Sequence, residues 1–244
     1  MHVDVVELRD FYASPLGAIV RRMLAHRIRA RWRSVQGETV IGLGFAAPYL
    51  GQFRGEAMRV GAIMPASQGA LVWPSKGPVM TALAEDELLP LADASVDRLI
   101  GAHCLETAER ASALLREMWR VLTPEGRLLL IVPNRRGVWA RMDTTPFGSG
   151  LPYSRAQLER LLQDALFTPV DWSTALYMPP LDRFGLVRWA TVFERAGARL
   201  WPRFAGVIIV EARKELMGAI PKKATWARRR ERLATVRGLL EGGS

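Results

Sequence analysis

Residues 88–133 limit the fold of this chain more than any other stretch, because their hydrophobic pattern changes period twice within one short unit. Residues 95–101 form a short apolar-leaning run after a turn, which predicts a buried strand. Apolar side chains then recur at three- and four-residue spacing through residues 107–122, which predicts an amphipathic helix. A turn with proline and glycine ends that helix, and the apolar run 127–132 predicts a second buried strand. Two buried strands joined through such a helix are expected to be parallel, with a right-handed crossover.

Composition is that of an ordinary globular protein, with 49% apolar and 24% charged residues in a chain of 244. The single cysteine, Cys104, excludes an internal disulfide framework and fits a reducing compartment. The acidic opening lacks a signal-peptide core, and the longest apolar runs are far too short to span a bilayer, so we expect a cytoplasmic protein without a transmembrane segment. His2, His26 and His103 are scattered, and the sequence predicts no metal site.

The net charge of +10 is concentrated near the two ends of the chain. Residues 11–37 contain six arginines and no acid, residues 213–237 contain nine lysines or arginines against two glutamates, and the remainder is slightly acidic. The basic ranges 21–33 and 213–237 could bind nucleic acid or another anionic surface. An apolar stripe that starts at Ser14 favours instead a docking helix over the first range, with its arginines solvated.

The runs LPLADASVDRLIGAHCLE and LLREMWRVLTPEGRLLLIVPN resemble class I S-adenosylmethionine-dependent methyltransferases, specifically the type 11 methyltransferase-domain family. The resemblance implies an α/β fold with a doubly wound, mostly parallel sheet of about seven strands. The segments predicted with it are an N-terminal basic helix (1–36), a methyltransferase-like domain (37–213) with lid or insertion segments (133–153 and 180–203), and a basic C-terminal tail (214–244).

The resemblance implies S-adenosylmethionine as cofactor, bound at the turn after the first strand. The family has an acidic residue there, followed by three glycines that let the backbone approach the cofactor. In this chain Gly42 stands at the acidic position, and Gly44, Ala46 and Pro48 stand at the glycine positions, so the motif is degenerate. The family also ends its second strand with an acid that binds both ribose hydroxyls, and Ala62 stands there. Each lost charged hydrogen bond would cost about 2–3 kcal/mol.

Two polar side chains complete the site that the resemblance implies. Glu85 stands where the family places an acid that accepts from the adenine amino group, although a solvated acidic loop is an equal interpretation. His103 follows the fourth strand, at the sheet edge where open α/β folds bind ligands, and it is the candidate general base. It could instead be a helix-cap residue packed under the cofactor. The cofactor-binding set is then Gly42, Gly44, Ala46, Ala62, Glu85 and His103.

The connection at residues 133–153 is long, leaves the sheet at the same edge, and mixes arginines with aromatic residues. It would suit an anionic or planar substrate, or it could be a packed irregular loop with solvated arginines. Its candidate substrate-binding residues are Asn134, Arg135, Arg136, Trp139 and Tyr153. Further along, the sequence predicts helices at 154–165 and 184–200, an extended segment at 167–178 and a closing strand at 206–212.

Three functions are compatible with this sequence. The first is a methyltransferase that acts on a small molecule, in which the N-terminal helix could also cover the site as a lid. The second is a methyltransferase-fold protein that has lost catalysis and serves as a binding or regulatory partner, for which Gly42, Ala46, Pro48 and Ala62 speak. The third is an RNA methyltransferase that uses the basic ends as its electrostatic footprint.

Overall fold

The computed structural model of the protein describes residues 3–180 and 190–215. Its helices are α1 (Val5–Ala13), α2 (Pro15–Arg31), α3 (Ala47–Leu50), α4 (Ala111–Val121), α5 (Arg155–Asp164) and α6 (Ala190–Leu200). Its strands are β1 (Thr39–Gly44), β2 (Arg59–Pro65), β3 (Thr81–Ala84), β4 (Val96–Ala102), β5 (Leu122–Pro133), β6 (Phe167–Ala175) and β7 (Val207–Lys214).

One seven-stranded sheet has the order β3-β2-β1-β4-β5-β7-β6. Strands β1 to β5 pair in parallel, while β7 runs antiparallel to both of its neighbours. The order reverses between β1 and β4, and in open α/β sheets the ligand-binding crevice lies at such a switch point, outside the carboxyl ends of the strands. The doubly wound, mostly parallel sheet predicted from the sequence is thereby confirmed.

The strand-helix-strand unit is present, with two differences at its boundaries. Helix α4 starts at Ala111 rather than near residue 107, because the Thr107 hydroxyl donates to the carbonyl of Cys104 and holds a turn there. Strand β5 starts at Leu122, which pairs with Val96, and the register shifts before the next pair. The predicted turn at 123–126 is therefore a bulge within a longer strand.

Two hydrophobic cores cover the two faces of the sheet. On one face, helices α1 and α2 and the β1–α3 turn pack on alternate strand residues such as Val40 and Ile131. On the other face, α4 and α5 pack on the intervening residues, such as Leu99 and Leu130. This alternation follows from the period of two along each strand.

The predicted N-terminal basic helix at 1–36 is two helices, because Ser14 and Pro15 end the first and start the second. The Ser14 hydroxyl accepts from Gly17 N–H as the cap of α2. Helix α2 buries Val20, Leu24 and Ile28 completely, so it is a docking helix, as its stripe predicts. Two of its arginines are held in ion pairs, Arg29 with Glu56 at 2.5 Å and Arg31 with Asp171 at 2.7 Å.

The later elements follow the sequence closely. A capping box between Ser154 and Gln157 opens α5 as predicted, and the extended segment forms β6 up to Ala175. Helix α6 covers the described part of the predicted helix 184–200, whereas residues 181–189 and 216–244 lie outside the described residues. Across the described ranges, no helix is both long and apolar enough to cross a membrane.

Candidate active site at the carboxyl edge of the sheet

Gly44 ends β1 at the switch point and must be a glycine. Its φ of +75° lies in the left-handed region, and a Cβ there would lie 2.2 Å from the carbonyl oxygen of Ala102. The one glycine that the degenerate motif retains is therefore required by the close approach of β1 to β4.

The space that the family gives to an acidic side chain is filled at Gly42. A Cβ on Gly42 would lie 2.7 Å from Cβ of Ala46 and 2.9 Å from Cδ1 of Leu50. Both of those residues belong to the turn and helix after β1, and both are fully buried. A carboxylate at position 42 would have to displace this packing.

Ala62 lies next to Gly42 in the sheet and is also buried. Its N–H donates to the carbonyl of Met80, and β2 continues for three more residues, to Pro65. Those last residues, Ile63, Met64 and Pro65, carry no carboxylate. The end of β2 therefore has no acidic acceptor for a ribose diol.

Glu85 lies apart from these buried positions, in a second part of the same edge. It is exposed and lines a cleft of about 460 Å³ with Ala66, Ser67 and the carboxylates of Asp86, Glu87 and Glu109. Arg110 also lines this cleft and pairs with Glu87. Glu85, the acid that the resemblance names for the adenine end, is thus accessible in this cleft, whereas positions 42 and 62 carry no carboxylate for the ribose and aminoacyl ends.

His103 is buried directly after β4, with only 3% of its surface exposed. Its φ of +52° is rare for a residue with a side chain and costs about 1–3 kcal/mol, so the surroundings must hold it. The Gln68 amide provides this hold, because its Nε2 donates both to the His103 carbonyl at 2.5 Å and to Thr107 Oγ1 at 3.0 Å. The imidazole is thereby directed into the core beneath α1.

A buried polar chain runs through that imidazole. Nε2 of His103 lies 2.9 Å from Tyr12 Oη, and Tyr12 Oη lies 2.7 Å from Tyr49 Oη. On the other side of the ring, Nδ1 lies 3.5 Å from Oε1 of Glu106. Glu106, His103, Tyr12 and Tyr49 are called the buried polar chain below.

Burial raises the pKa values of the two tyrosines in the buried polar chain. It raises the pKa of Tyr12 well above its ordinary value, and the neighbouring Tyr49 and Glu106 raise it further. Burial likewise raises the pKa of Tyr49. Both hydroxyls therefore keep their protons at neutral pH. Burial also raises the pKa of the Cys104 thiol, which therefore packs as a small apolar residue.

Tyr12 connects the buried polar chain to a cavity beside the switch point. Its ring stacks on Phe45 with centroids 5.5 Å apart. The cavity, called the Tyr12 cavity below, has a volume of about 360 Å³, and its lining includes Tyr12, Arg21, Phe45, Pro48, Met64 and Trp73. A planar, partly apolar small molecule matches this lining.

Sequence reasoning missed Tyr12 altogether. Asp4 accepts from Val6 N–H at the start of α1, and Val5, Leu8 and Tyr12 recur on one face at helical spacing. That spacing was visible in the sequence and would have placed Tyr12 on the buried side of a helix. Its meeting with a histidine 91 positions away was not visible.

Three of the candidate substrate-binding residues bond backbone carbonyls of the protein. Asn134 donates to the carbonyl of Ala205, Trp139 donates to the carbonyl of Met178, and Tyr153 donates to the carbonyl of Leu105. These three therefore hold the 133–153 connection in place, and burial raises the pKa of Tyr153 to about 12. Arg135 and Arg136 are exposed, and their role in binding stays a prediction.

A larger cavity of about 660 Å³ lies between α1 and the same connection. Phe11, Leu16, Met142 and Pro146 form its apolar part, and Glu7 and Asp143 are its acidic residues. Among the described residues, no group of three or more His, Cys, Asp or Glu is arranged to hold a metal ion.

Comparison with known proteins agrees with this architecture. Residues 39–130 match the methyltransferase domain family. A stretch of 55 residues is 46% identical to the ubiquinone/menaquinone biosynthesis C-methyltransferase UbiE of Rubrivivax gelatinosus, and it covers 22% of each chain. This chain thus aligns with about a fifth of the length of that curated relative.

Solved structures extend the similarity over most of the chain. A SAM-dependent methyltransferase from Archaeoglobus fulgidus has a TM-score of 0.57 at 15% identity, over 80% of this chain and 94% of that one. The 1,6-didemethyltoxoflavin-N1-methyltransferase of Burkholderia thailandensis, solved with bound 1,6-didemethyltoxoflavin and S-adenosylhomocysteine, has a TM-score of 0.51 at 17% identity, over 80% of this chain and 78% of that one. Such low identities are informative about the fold alone. Residues 39–130 thus match the methyltransferase domain family, and the seven-stranded sheet has the Rossmann-like fold of class I S-adenosylmethionine-dependent methyltransferases.

Proposed function

We propose that this protein is an S-adenosylmethionine-dependent methyltransferase that acts on a small molecule. The observation that carries the proposal is the position of two cavities at the switch-point edge. Residues of the connection between β2 and β3 line both the Glu85 cleft and the Tyr12 cavity, and the two cavities share no lining residue. One edge of the sheet therefore offers separate room for a cofactor and for an acceptor.

The residues of the Glu85 cleft would hold the cofactor at its adenine end. Glu85 would accept a hydrogen bond from the adenine amino group, and its acidic neighbours favour a ligand that carries positive charge. When bound, S-adenosylmethionine supplies an electrophilic methyl group on a sulfonium. The chain's own contribution is to position the acceptor against it, which can supply much of the acceleration of a group transfer.

The size of the Tyr12 cavity favours a small acceptor over RNA. Its volume of about 360 Å³ suits a drug-sized molecule, and aromatic side chains form part of its lining. Part of the basic charge of α2 is also already used, since Arg29 and Arg31 bind carboxylates of the protein itself. The role of the basic C-terminal range stays a prediction, because most of it lies outside the described residues.

One observation favours a second candidate, a binding protein without catalysis. Leu50 and Ala46 occupy the room of the missing acid at Gly42, so the aminoacyl contact of the family cannot be restored without repacking. A protein of this kind would bind a small molecule in the Tyr12 cavity and transfer nothing.

Calorimetric titration with S-adenosylmethionine separates the two candidates. We expect the wild-type protein to bind it at submillimolar concentration and the Glu85→Gln variant to bind about ten times more weakly, since a charged hydrogen bond is lost. Glu125→Gln is the matched control, because Glu125 is exposed in the bulge near the start of β5, at the end of the strand opposite to the carboxyl edge. A protein that does not bind the cofactor at millimolar concentration, and consumes no methyl donor, would rule out methyl transfer and leave the binding protein.

A further inference from the structure

The least satisfied polar group in the described structure is the carboxylate of Glu106. Its side chain is 1% exposed, and among the described residues neither oxygen has a hydrogen-bond partner. A buried carboxylate without donors is strongly unfavourable in a folded protein. Nδ1 of His103 lies 3.5 Å from Oε1 of Glu106. The fold therefore retains a buried acid whose partner in reach is an imidazole.

With Glu106 ionised, one direction follows for each hydrogen bond in the buried polar chain. A carboxylate can only accept, so the proton of a neutral His103 belongs on Nδ1, facing Glu106. Nε2 then carries a lone pair and accepts from the Tyr12 hydroxyl. Having donated its proton, Tyr12 Oη can only accept from Tyr49, so the Tyr49 hydroxyl donates to it. All the donors thus point towards the acid.

This polarity leaves one position open for a ligand. A hydroxyl oxygen has two lone pairs, and Tyr49 occupies one of those on Tyr12 Oη. Among the described residues the second has no donor, and the Tyr12 residue lines the Tyr12 cavity. Stacking on Phe45 holds the Tyr12 ring, and the bond from Tyr49 holds its oxygen.

We propose that Tyr12, His103 and Glu106 form a proton-accepting relay for an acceptor hydroxyl or amine bound in the Tyr12 cavity. The acceptor's O–H or N–H bond breaks, its electron pair stays on the acceptor atom, and its proton goes to Tyr12 Oη. The proton of Tyr12 goes at the same time to His103 Nε2. Glu106 balances the imidazolium that results, and the 3.5 Å separation is expected to shorten as that charge develops.

Within the relay the roles differ. Tyr12 is the catalytic residue, because it touches the acceptor, whereas His103 and Glu106 act through it as positioning residues. The use of the relay in methyl transfer rests on the proposed function. The arrangement of its protons does not, and it can be measured without cofactor or acceptor.

Nitrogen-15 NMR of the histidine rings tests the relay directly. We expect His103 in the wild-type protein to be the Nδ1–H tautomer, and the His103→Gln variant to identify its signals. The exposed His26 is an internal reference. In Glu106→Gln the side-chain amide can donate to Nδ1, so the tautomer is expected to change to Nε2–H. An Nε2–H tautomer in the wild type, or the same tautomer in both proteins, would overturn the proposal.

Turnover tests the use of the relay. Tyr12→Phe keeps the ring and its stacking, and is expected to lower kcat about 10²- to 10⁴-fold with little change in KM. Tyr177→Phe is the matched control, since its hydroxyl contacts only Thr174 among the described residues. Equal activity of the two variants would contradict the relay. If the wild-type protein shows no turnover, the proposed function is wrong. The proton arrangement of the relay is then tested by the His103 tautomers alone.

Discussion

The two halves of the sheet differ in what their sequences preserve. From β4 to β5, the strand, helix and crossover follow the family pattern and pack in regular alternation on both faces. From β1 to β2, the positions of two ligand-binding acids are Gly42 and Ala62, and apolar side chains fill the room of the first. Strands β1 and β2 nevertheless pair in a continuous parallel register, so the ligand contacts of a sheet can change while its strand pairing is kept.

The strongest test of this difference restores the family's acid. Gly42→Asp is expected to lower the free energy of unfolding by about 4 kcal/mol, because an unpaired carboxylate would be forced against Ala46 and Leu50. Urea denaturation measures it. Gly51→Asp is the control, since a Cβ there meets nothing within 4 Å. Equal stability of the two variants, with tighter cofactor binding by the first, would mean that the altered half still accepts the family's chemistry.

The regular half is tested by removing a core side chain. Leu114 of α4 is completely buried, and Leu114→Ala is expected to destabilise the protein by about 3 kcal/mol through lost burial and the cavity left behind. Leu151→Ala, at a site 70% exposed, is expected to change stability by less than about 0.5 kcal/mol. If thermal unfolding showed similar losses for both, the packing attributed to this half would be wrong.

The turn after β1 should also respond to alkaline pH through Tyr12 of α1, whose ring stacks on Phe45. A phenol whose folded pKa lies above its unfolded value stabilises the fold below about pH 10 and loses that contribution as the pH rises further. Tyr12→Phe is expected to cost about 2 kcal/mol at neutral pH, because two buried partners lose a hydrogen bond, and to weaken the alkaline loss. Unfolding curves between pH 7 and 11 measure both effects, with Tyr177→Phe as control. An unchanged alkaline slope in Tyr12→Phe would contradict the burial described for its hydroxyl.

The smallest expected effect belongs to the regular half and to acid pH. Hydrogen bonds from Arg120, and then from Leu89 N–H, lower the pKa of Glu117. Glu117 therefore stabilises the fold at pH values above the ordinary glutamate pKa, and this stabilisation is lost as the pH falls through its lowered pKa. Glu117→Gln should remove less than about 1 kcal/mol at neutral pH, since the pair is partly solvated. Glu125→Gln should have no effect, and an equal loss in both would show that the ion pair is without influence.

The sequence was sufficient where local pattern and packing agree. The strand-helix-strand unit, the docking helix α2 and the capping box of α5 each follow from side chains within one segment. The start of α4 and the length of β5 were wrong, because Thr107 and Val96 decide them through contacts made outside the periodic runs.

The candidate site was only partly predictable, for a physical reason. His103 could be placed at the ligand-binding edge, since it follows a buried strand directly. Its partner Tyr12 comes from α1, 91 positions away, and Tyr49, which bonds Tyr12, comes from α3, 54 positions away from His103. No local pattern encodes such meetings. The close approach of Leu50 to Gly42 could not be predicted either, because it depends on how α3 packs against β1.

The corner at Ser14 has a practical consequence for how this protein is cut into parts. Ser14 N–H bonds the carbonyls of Asp10 and Phe11, its hydroxyl also donates to Phe11, and a Cβ on Gly17 would lie 1.9 Å from that same carbonyl oxygen. The turn between α1 and α2 is thus held by several contacts, and it keeps Tyr12 beside the residues that follow β1 and β4. An expression clone trimmed to the matched range 39–130 would discard that hydroxyl together with the helix that carries it. Chimaeras that exchange α1 and α2 between relatives would therefore replace the Tyr12 hydroxyl without changing the sequence of the matched domain.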